Sequence, residues 1–109
     1  MKEYILVLTT VPDKKTGETI AKKCVKDRMA ACVTISGLCE SHYRWKGDLV
    51  KEKEHILFIK TKASLFPGLK EKILKLHPYE VPEIIALPLS DGHPGYLDWI
   101  DEETEEKET

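Results

Sequence analysis

The chain predicts an α+β domain of the split βαβ kind, with both helices on one face of an antiparallel sheet. Three observations predict it. Strand-type apolar runs and amphipathic helical stretches follow one another as strand, helix, strand, strand, helix, strand, with a further helix at the end. Strict alternation on both sides of Lys46-Gly47-Asp48 marks a hairpin with arms of more than ten residues. The length, 109 residues, suits one domain (1–109) and leaves no room for a second core.

Tyr4 to Leu8 is continuously apolar and rich in strand formers, so it reads as a central strand covered on both faces. Pro12-Asp13 breaks it and starts a helix, where Ile20, Ala21, Cys24, Val25 and Met29 recur at helical spacing. Gly17 weakens the first turns of that helix by about 1 kcal/mol relative to Ala. Ala30 to Ile35 is a second apolar run. After Ser36-Gly37 the pattern alternates, with Glu40, His42, Arg44 and Lys46 on one side and Cys39, Ser41, Tyr43 and Trp45 on the other. Leu49 to Lys62 returns as the second arm.

Ser64 is a suitable N-cap for the next helix, with Pro67 tolerated in its first turn. Leu65, Phe66, Leu69, Ile73 and Leu76 form its buried stripe. His77-Pro78 stops it, because a residue before proline avoids helical angles. Glu83 to Leu89 is the fourth strand, and Tyr96, Leu97, Trp99 and Ile100 mark a short closing helix. This is a ferredoxin-like order. The hairpin outruns what two helices of this size cover, which would leave Tyr43 and Trp45 on an open sheet face. A second copy of the chain is the economical cover, so a homo-oligomer is expected.

Composition narrows the function. The net charge is −2, but the acidic tail 101–109 holds six acidic residues and one lysine, a local −5, leaving +3 for residues 1–100. That charge is too weak and dispersed for a nucleic-acid surface, so no nucleic-acid partner is expected. The tail reads as a solvated helix end or frayed terminus. The run Tyr4 to Leu8 is too short for a signal core or a membrane helix, so no membrane partner is expected. Cys24, Cys32 and Cys39 make no CxxC pair and are odd in number, which points to reduced thiols and a cytoplasmic location.

The sequence has no Gly-rich phosphate loop, GxSxG elbow, HExxH or CxxC, so any site is a constellation of distant residues, and no organic cofactor is expected. His42, His55 and His93 read as surface or loop residues. His77 stands apart, because Pro78 and Pro82 fix the loop that follows it. It is either a helix stop or a ligand or general base held beside Glu80 or Glu83. Cys32, inside an apolar strand, is either a small hydrophobe or a thiolate near an imidazole that helps to hold a soft cation such as copper. Cys24 reads as core and Cys39 as interface packing.

These residues resemble the CutA divalent-cation tolerance family over nearly the whole chain. The likeness rests on Thr9-Thr10-Val11-Pro12, Arg28-Met29-Ala30-Ala31-Cys32-Val33 and Ser41-His42-Tyr43-Arg44-Trp45-Lys46-Gly47. It continues through Glu54, Ile59-Lys60-Thr61, His77-Pro78-Tyr79-Glu80-Val81-Pro82-Glu83-Ile84-Ile85 and Tyr96-Leu97-Asp98-Trp99. The resemblance implies a homotrimer with paired long hairpins, an architecture like the PII signalling proteins, and tolerance of copper or another divalent cation. It also implies His77 as a metal ligand. Some members carry a cysteine where this chain has Thr9 and a second histidine where it has Leu76, and both replacements are poor copper ligands. The expected function is a trimeric, cytosolic, non-catalytic metal-binding protein with His77, Cys32 and Glu83 at a subunit boundary. Tyr43, Trp45, Lys60 and Tyr79 are the expected interface or pocket residues. Two rivals are a PII-like sensor of a small anionic metabolite, using Lys60, Arg44 and Tyr79, and an enzyme with Cys32 as nucleophile and His77 as base.

Overall fold

A computed structural model describes residues 3–105. Its elements are β1 (Tyr4–Val11), α1 (Lys14–Lys26), β2 (Cys32–Trp45), β3 (Asp48–Lys62), a 3-10 turn (Ala63–Leu65), α2 (Phe66–Leu76), β4 (Ile85–Pro88) and α3 (Pro94–Glu103). The strands form one antiparallel sheet in the order β2-β3-β1-β4. The 14- and 15-residue arms of the hairpin draw the molecule out to 44 Å against 26 and 24 Å.

Alternation decides which side of β1 is core. Ile5, Val7 and Val11 join Leu57 and Ile59 of β3 against Ile20 and Cys24 of α1 and Leu69 and Ile73 of α2. Burying each of these aliphatic side chains stabilises the fold by about 1.5–3 kcal/mol. The expectation that β1 is covered on both faces is corrected. Leu6 and Leu8 share the opposite face with Ile56 and Phe58, and all four are only half-buried. On the same face Ile85 and Leu87 of β4 are 48% and 43% exposed. The cause is that the two core-forming helices pack on the other side.

Helix α1 starts where Asp13 caps it, its carboxylate accepting from the Thr16 N–H at 2.7 Å, which holds that carboxyl below its usual range. Gly17 has a packing reason. A Cβ there would stand 3.3 Å from both Leu57 and Val11, so its absence lets the helix sit close on the sheet. At the other end Arg28 adopts a left-handed φ of 59° and turns the chain back. Its guanidinium donates to the carbonyls of Glu102 at 2.7 Å and Thr104 at 3.3 Å, satisfying the end of α3.

Two predicted boundaries move. Ser64 is not an N-cap: it lies inside the 3-10 turn, which begins before it, and α2 opens at Phe66 with Pro67 in the first turn. The fourth strand shortens from Glu83–Leu89 to Ile85–Pro88, the stretch that pairs with Ile5 to Leu8 of β1. Of the acidic tail, Asp101–Glu103 end α3, and residues 106–109 lie outside the described residues.

The hairpin carries one irregularity, a bulge between Ile35 and Leu38 opposite Ile56. Ser36 builds it. Its Oγ accepts the Ile56 N–H at 2.7 Å, and its carbonyl lies 2.9 Å from His55 Nδ1. The extra residue inverts the alternation, so Val33 and Ile35 point to the helices while Cys39, Ser41, Tyr43 and Trp45 point to the opposite face. At the tip, Trp45 pairs with Asp48 across a two-residue turn, Lys46 (φ 50°) and Gly47 (φ 88°).

Two substitutions test this description. Ser36→Ala leaves the Ile56 N–H without its acceptor and should lower stability by about 1–2 kcal/mol, read as a lower denaturant midpoint at fixed protein concentration. Thr9 is fully buried, and its hydroxyl has no hydrogen-bond partner among the described residues. Thr9→Val should therefore raise the midpoint, by about 1 kcal/mol.

Candidate functional site

The helix-stopping sequence after α2 builds the site. His77 ends the helix in an extended conformation, and its N–H caps the Ile73 carbonyl at 2.9 Å. The ring then turns under the loop. Nε2 lies 2.7 Å from the Thr10 carbonyl, and Nδ1 accepts the Tyr79 N–H at 3.2 Å. A carbonyl only accepts and an amide N–H only donates, so the arrangement fixes the tautomer with its proton on Nε2. His77 is buried (8% exposed), and both ring nitrogens are occupied by backbone.

Its neighbour carries the connection outward. The Tyr79 ring stacks obliquely on His77, with centroids 4.7 Å apart. Its hydroxyl donates to Glu54 Oε2 at 2.7 Å. Burial, the Glu54 hydrogen bond and the charges of Glu54 and Glu52 raise the Tyr79 phenol well above its ordinary value. Tyr43 is raised by burial and then by the same two carboxylates. Thus Tyr79 is a hydrogen-bond donor at all physiological pH values.

Between the hairpin and this loop lies a cavity of about 750 Å³. Tyr43, Trp45 and Tyr79 supply aromatic walls, and Glu52, Glu54, Glu80 and Glu83 supply four carboxylates. The bulge brings these together: Cys39 pairs with Glu54, Ser41 with Glu52 and Tyr43 with Val50 on one face. Glu54 is 5% exposed, and among the described residues its carboxylate is hydrogen-bonded only by the Tyr79 hydroxyl.

The predicted residues separate into groups. Tyr43, Trp45, Tyr79 and Glu83 line the cavity, with His77 behind its wall. Cys32 and Lys60 do not reach it. They pair with each other in the row of Leu6, while His77 bonds to the row of Thr10, four residues or about 13 Å along the strand. Cys32 is half-buried beside Thr34, and Lys60 also contacts Thr34. Arg44 lies on the other face of the hairpin from Tyr43 and reaches the Gly47 carbonyl. The chain alone therefore assembles neither a Cys32–His77 nucleophile and base nor an anion site from Lys60, Arg44 and Tyr79. Nor do His77, Cys32 and Glu83 converge as a metal set. Among the described residues no three His, Cys, Asp or Glu side chains are grouped to hold an ion. Cys24 is core, its thiol pushed up to about 11 by burial.

Of the cavity carboxylates, sequence reasoning did not single out Glu52, named Glu54 only within the family likeness, and offered Glu80 only as a neighbour of His77. The signal for the first two was present: counting back from the turn at Lys46-Gly47 sets Ser41 opposite Glu52 and Cys39 opposite Glu54.

Fold and cavity together define a small α+β domain with an acidic, aromatic-walled cavity beside its hairpin. The family model for the CutA1 divalent ion tolerance protein matches residues 5–103, and the chain belongs to that family. The divalent-cation tolerance protein CutA of Thermus thermophilus is 50% identical over 95% of this chain and 99% of its own length. The solved structure of the cation tolerance protein from the same bacterium superposes with a TM-score of 0.90 at 48% identity, covering 96% of this chain and all of that one. CutA1 of Oryza sativa gives 0.93 at 40% identity, covering 96% of each chain. Protein CutA of Mus musculus is 44% identical over 88% of this chain, which spans 54% of that longer protein.

The raised Tyr79 phenol sets an alkaline limit. Its folded pKa lies above the unfolded value near 10, so its contribution is complete below about pH 10 and is lost as pH rises further. Melting temperatures measured between neutral pH and pH ~12 should fall more steeply above pH ~10 for the wild type than for Tyr79→Phe.

Proposed function

We propose that this member of the divalent-cation tolerance family is a non-catalytic, cytoplasmic, ferredoxin-like homotrimer that draws cations into the acidic cavity. The observation that supports it is the charge arrangement: four glutamates line one cavity, and the most buried, Glu54, has no cationic partner among the described residues. A pair of His77 and Cys32 is a poorer candidate, since both nitrogens of His77 are already hydrogen-bonded and Cys32 is remote. A single chain would hold a metal ion in the cavity with water completing its shell, or with donors from a second copy.

The homotrimer is supported by the open face of the sheet. Leu6, Leu8, Ile56, Phe58, Ile85 and Leu87 present apolar surface on the sheet face that the two core helices α1 and α2 do not cover. Soluble proteins cover such patches, and a homotrimer with long hairpins paired between subunits is the arrangement that the family resemblance implies. The three cysteines, all unpaired, fit a reducing compartment.

Light scattering should give a mass near three times 12.5 kDa, and a clean monomer would overturn the assembly. Copper(II), favoured by most donor sets in the first row, is the probe for the cavity. In calorimetric titrations Glu54→Gln should weaken copper binding at least about tenfold, or 1.4 kcal/mol, while His77→Ala should change it less than about twofold. The reverse order would return the site to His77.

A further inference from the structure

We infer that the cavity between the hairpin and the loop after α2 binds a small protonated aliphatic amine. The inference rests on the same cavity as the proposed function, but it names a different cation, an organic one. Glu54 is the first reason. A carboxylate that is 5% exposed and, among the described residues, hydrogen-bonded only to a neutral phenol is incompletely compensated, because a buried charge requires an opposite charge to offset its lost hydration. An ammonium group entering the cavity supplies both charge and N–H donors.

The walls are the second reason. Tyr43, Trp45 and Tyr79 offer aromatic surface around the carboxylates, and an ammonium ion is attracted to an aromatic face as well as to an anion. A metal ion gains little from such rings. With a volume of about 750 Å³ the cavity holds an organic molecule of several carbons.

The third reason is a lysine of the chain itself. At the rim, the Lys46 ammonium lies 5.5 Å from the centroid of the Trp45 ring and 3.9 Å from the Glu80 carboxylate. This is the pairing of aromatic face and carboxylate that a bound amine would meet deeper in the cavity. His42, the basic side chain that lines the cavity, is hydrogen-bonded to Glu40. An anionic ligand would face four carboxylates with little to offset them.

The test is calorimetric titration of the intact oligomer, near neutral pH and at low salt, with four probes of similar size. These are 1,4-diaminobutane, butylammonium, neutral 1-butanol and butyrate. Both amines should bind saturably, once per chain and at least about tenfold tighter than butanol, and butyrate should not bind. Fluorescence on a Trp99→Phe background should report the binding through Trp45, since Trp99 packs on Tyr96 in α3, away from the cavity. Glu54→Gln should weaken amine binding at least about tenfold. Trp45→Ala should weaken it at least about threefold, and because Trp45 is 39% exposed within the single chain this second variant leaves the hydrophobic core untouched. The inference is overturned if no amine binds, as when another copy's basic side chain already fills the cavity. Equal binding of butanol, or unchanged amine binding by both variants, overturns it as well. Copper binding without amine binding would leave the metal reading standing and remove this one, and amine binding without copper binding would do the opposite.

Discussion

One inserted residue governs what this sheet can present. A strand read straight through from Val33 would keep every odd-numbered residue on the helix side, and Tyr43 and Trp45 would project away from the loop that follows α2. The bulge at Ser36 inverts that order, so the base of the hairpin contributes Val33 and Ile35 to the helix side while its outer half turns its aromatic residues to the opposite face. The Ser36 hydroxyl that accepts the Ile56 N–H keeps the inversion from costing an unpaired amide. Because of that shift of one position, Tyr43 and Trp45 meet Glu52 and Glu54 of β3 on one face of the hairpin.

Facing the hairpin is a loop with little regular structure of its own. Two prolines limit its backbone, and a relay from the Thr10 carbonyl through His77 and Tyr79 to Glu54 ties it to β1 on one side and β3 on the other. Each link uses a group whose hydrogen-bonding role is fixed, so the relay tolerates one tautomer and one phenol state. Such a chain is rigid in a way that a metal ligand awaiting its ion is not. It accounts for a histidine before Pro-Tyr by mechanics as well as by chemistry.

The sequence revealed the elements well where a period carried them. The alternation of Cys39, Ser41, Tyr43 and Trp45 gave the face of the hairpin correctly, and Pro78 gave the end of α2. Single residues were harder. Ser64 has the chemistry of a cap, but a 3-10 turn had already begun, and the continuous run in β1 concealed that only one of its faces lies beneath helices. His77 was singled out by its two neighbouring prolines, yet sequence could not show that backbone groups 67 and two residues away would claim both nitrogens. Cys32 and His77 invited pairing because each is chemically distinctive. The register places them in different rows of the sheet, and register is a tertiary quantity that composition does not contain.

The strand order also dictates a timetable. β1 is synthesised first, but its two hydrogen-bonding neighbours are β3 and β4, whose residues lie about fifty and eighty positions further along. The hairpin of β2 and β3 joins neighbours in sequence and closes its own loop with two residues, so it needs little chain entropy to form. On a ribosome the hairpin can therefore zip while β1 is still waiting for one edge partner, and the last edge arrives only when Ile85–Pro88 has emerged. Until then the apolar flank of β1 is a place for chaperones to hold and for neighbouring nascent chains to stick.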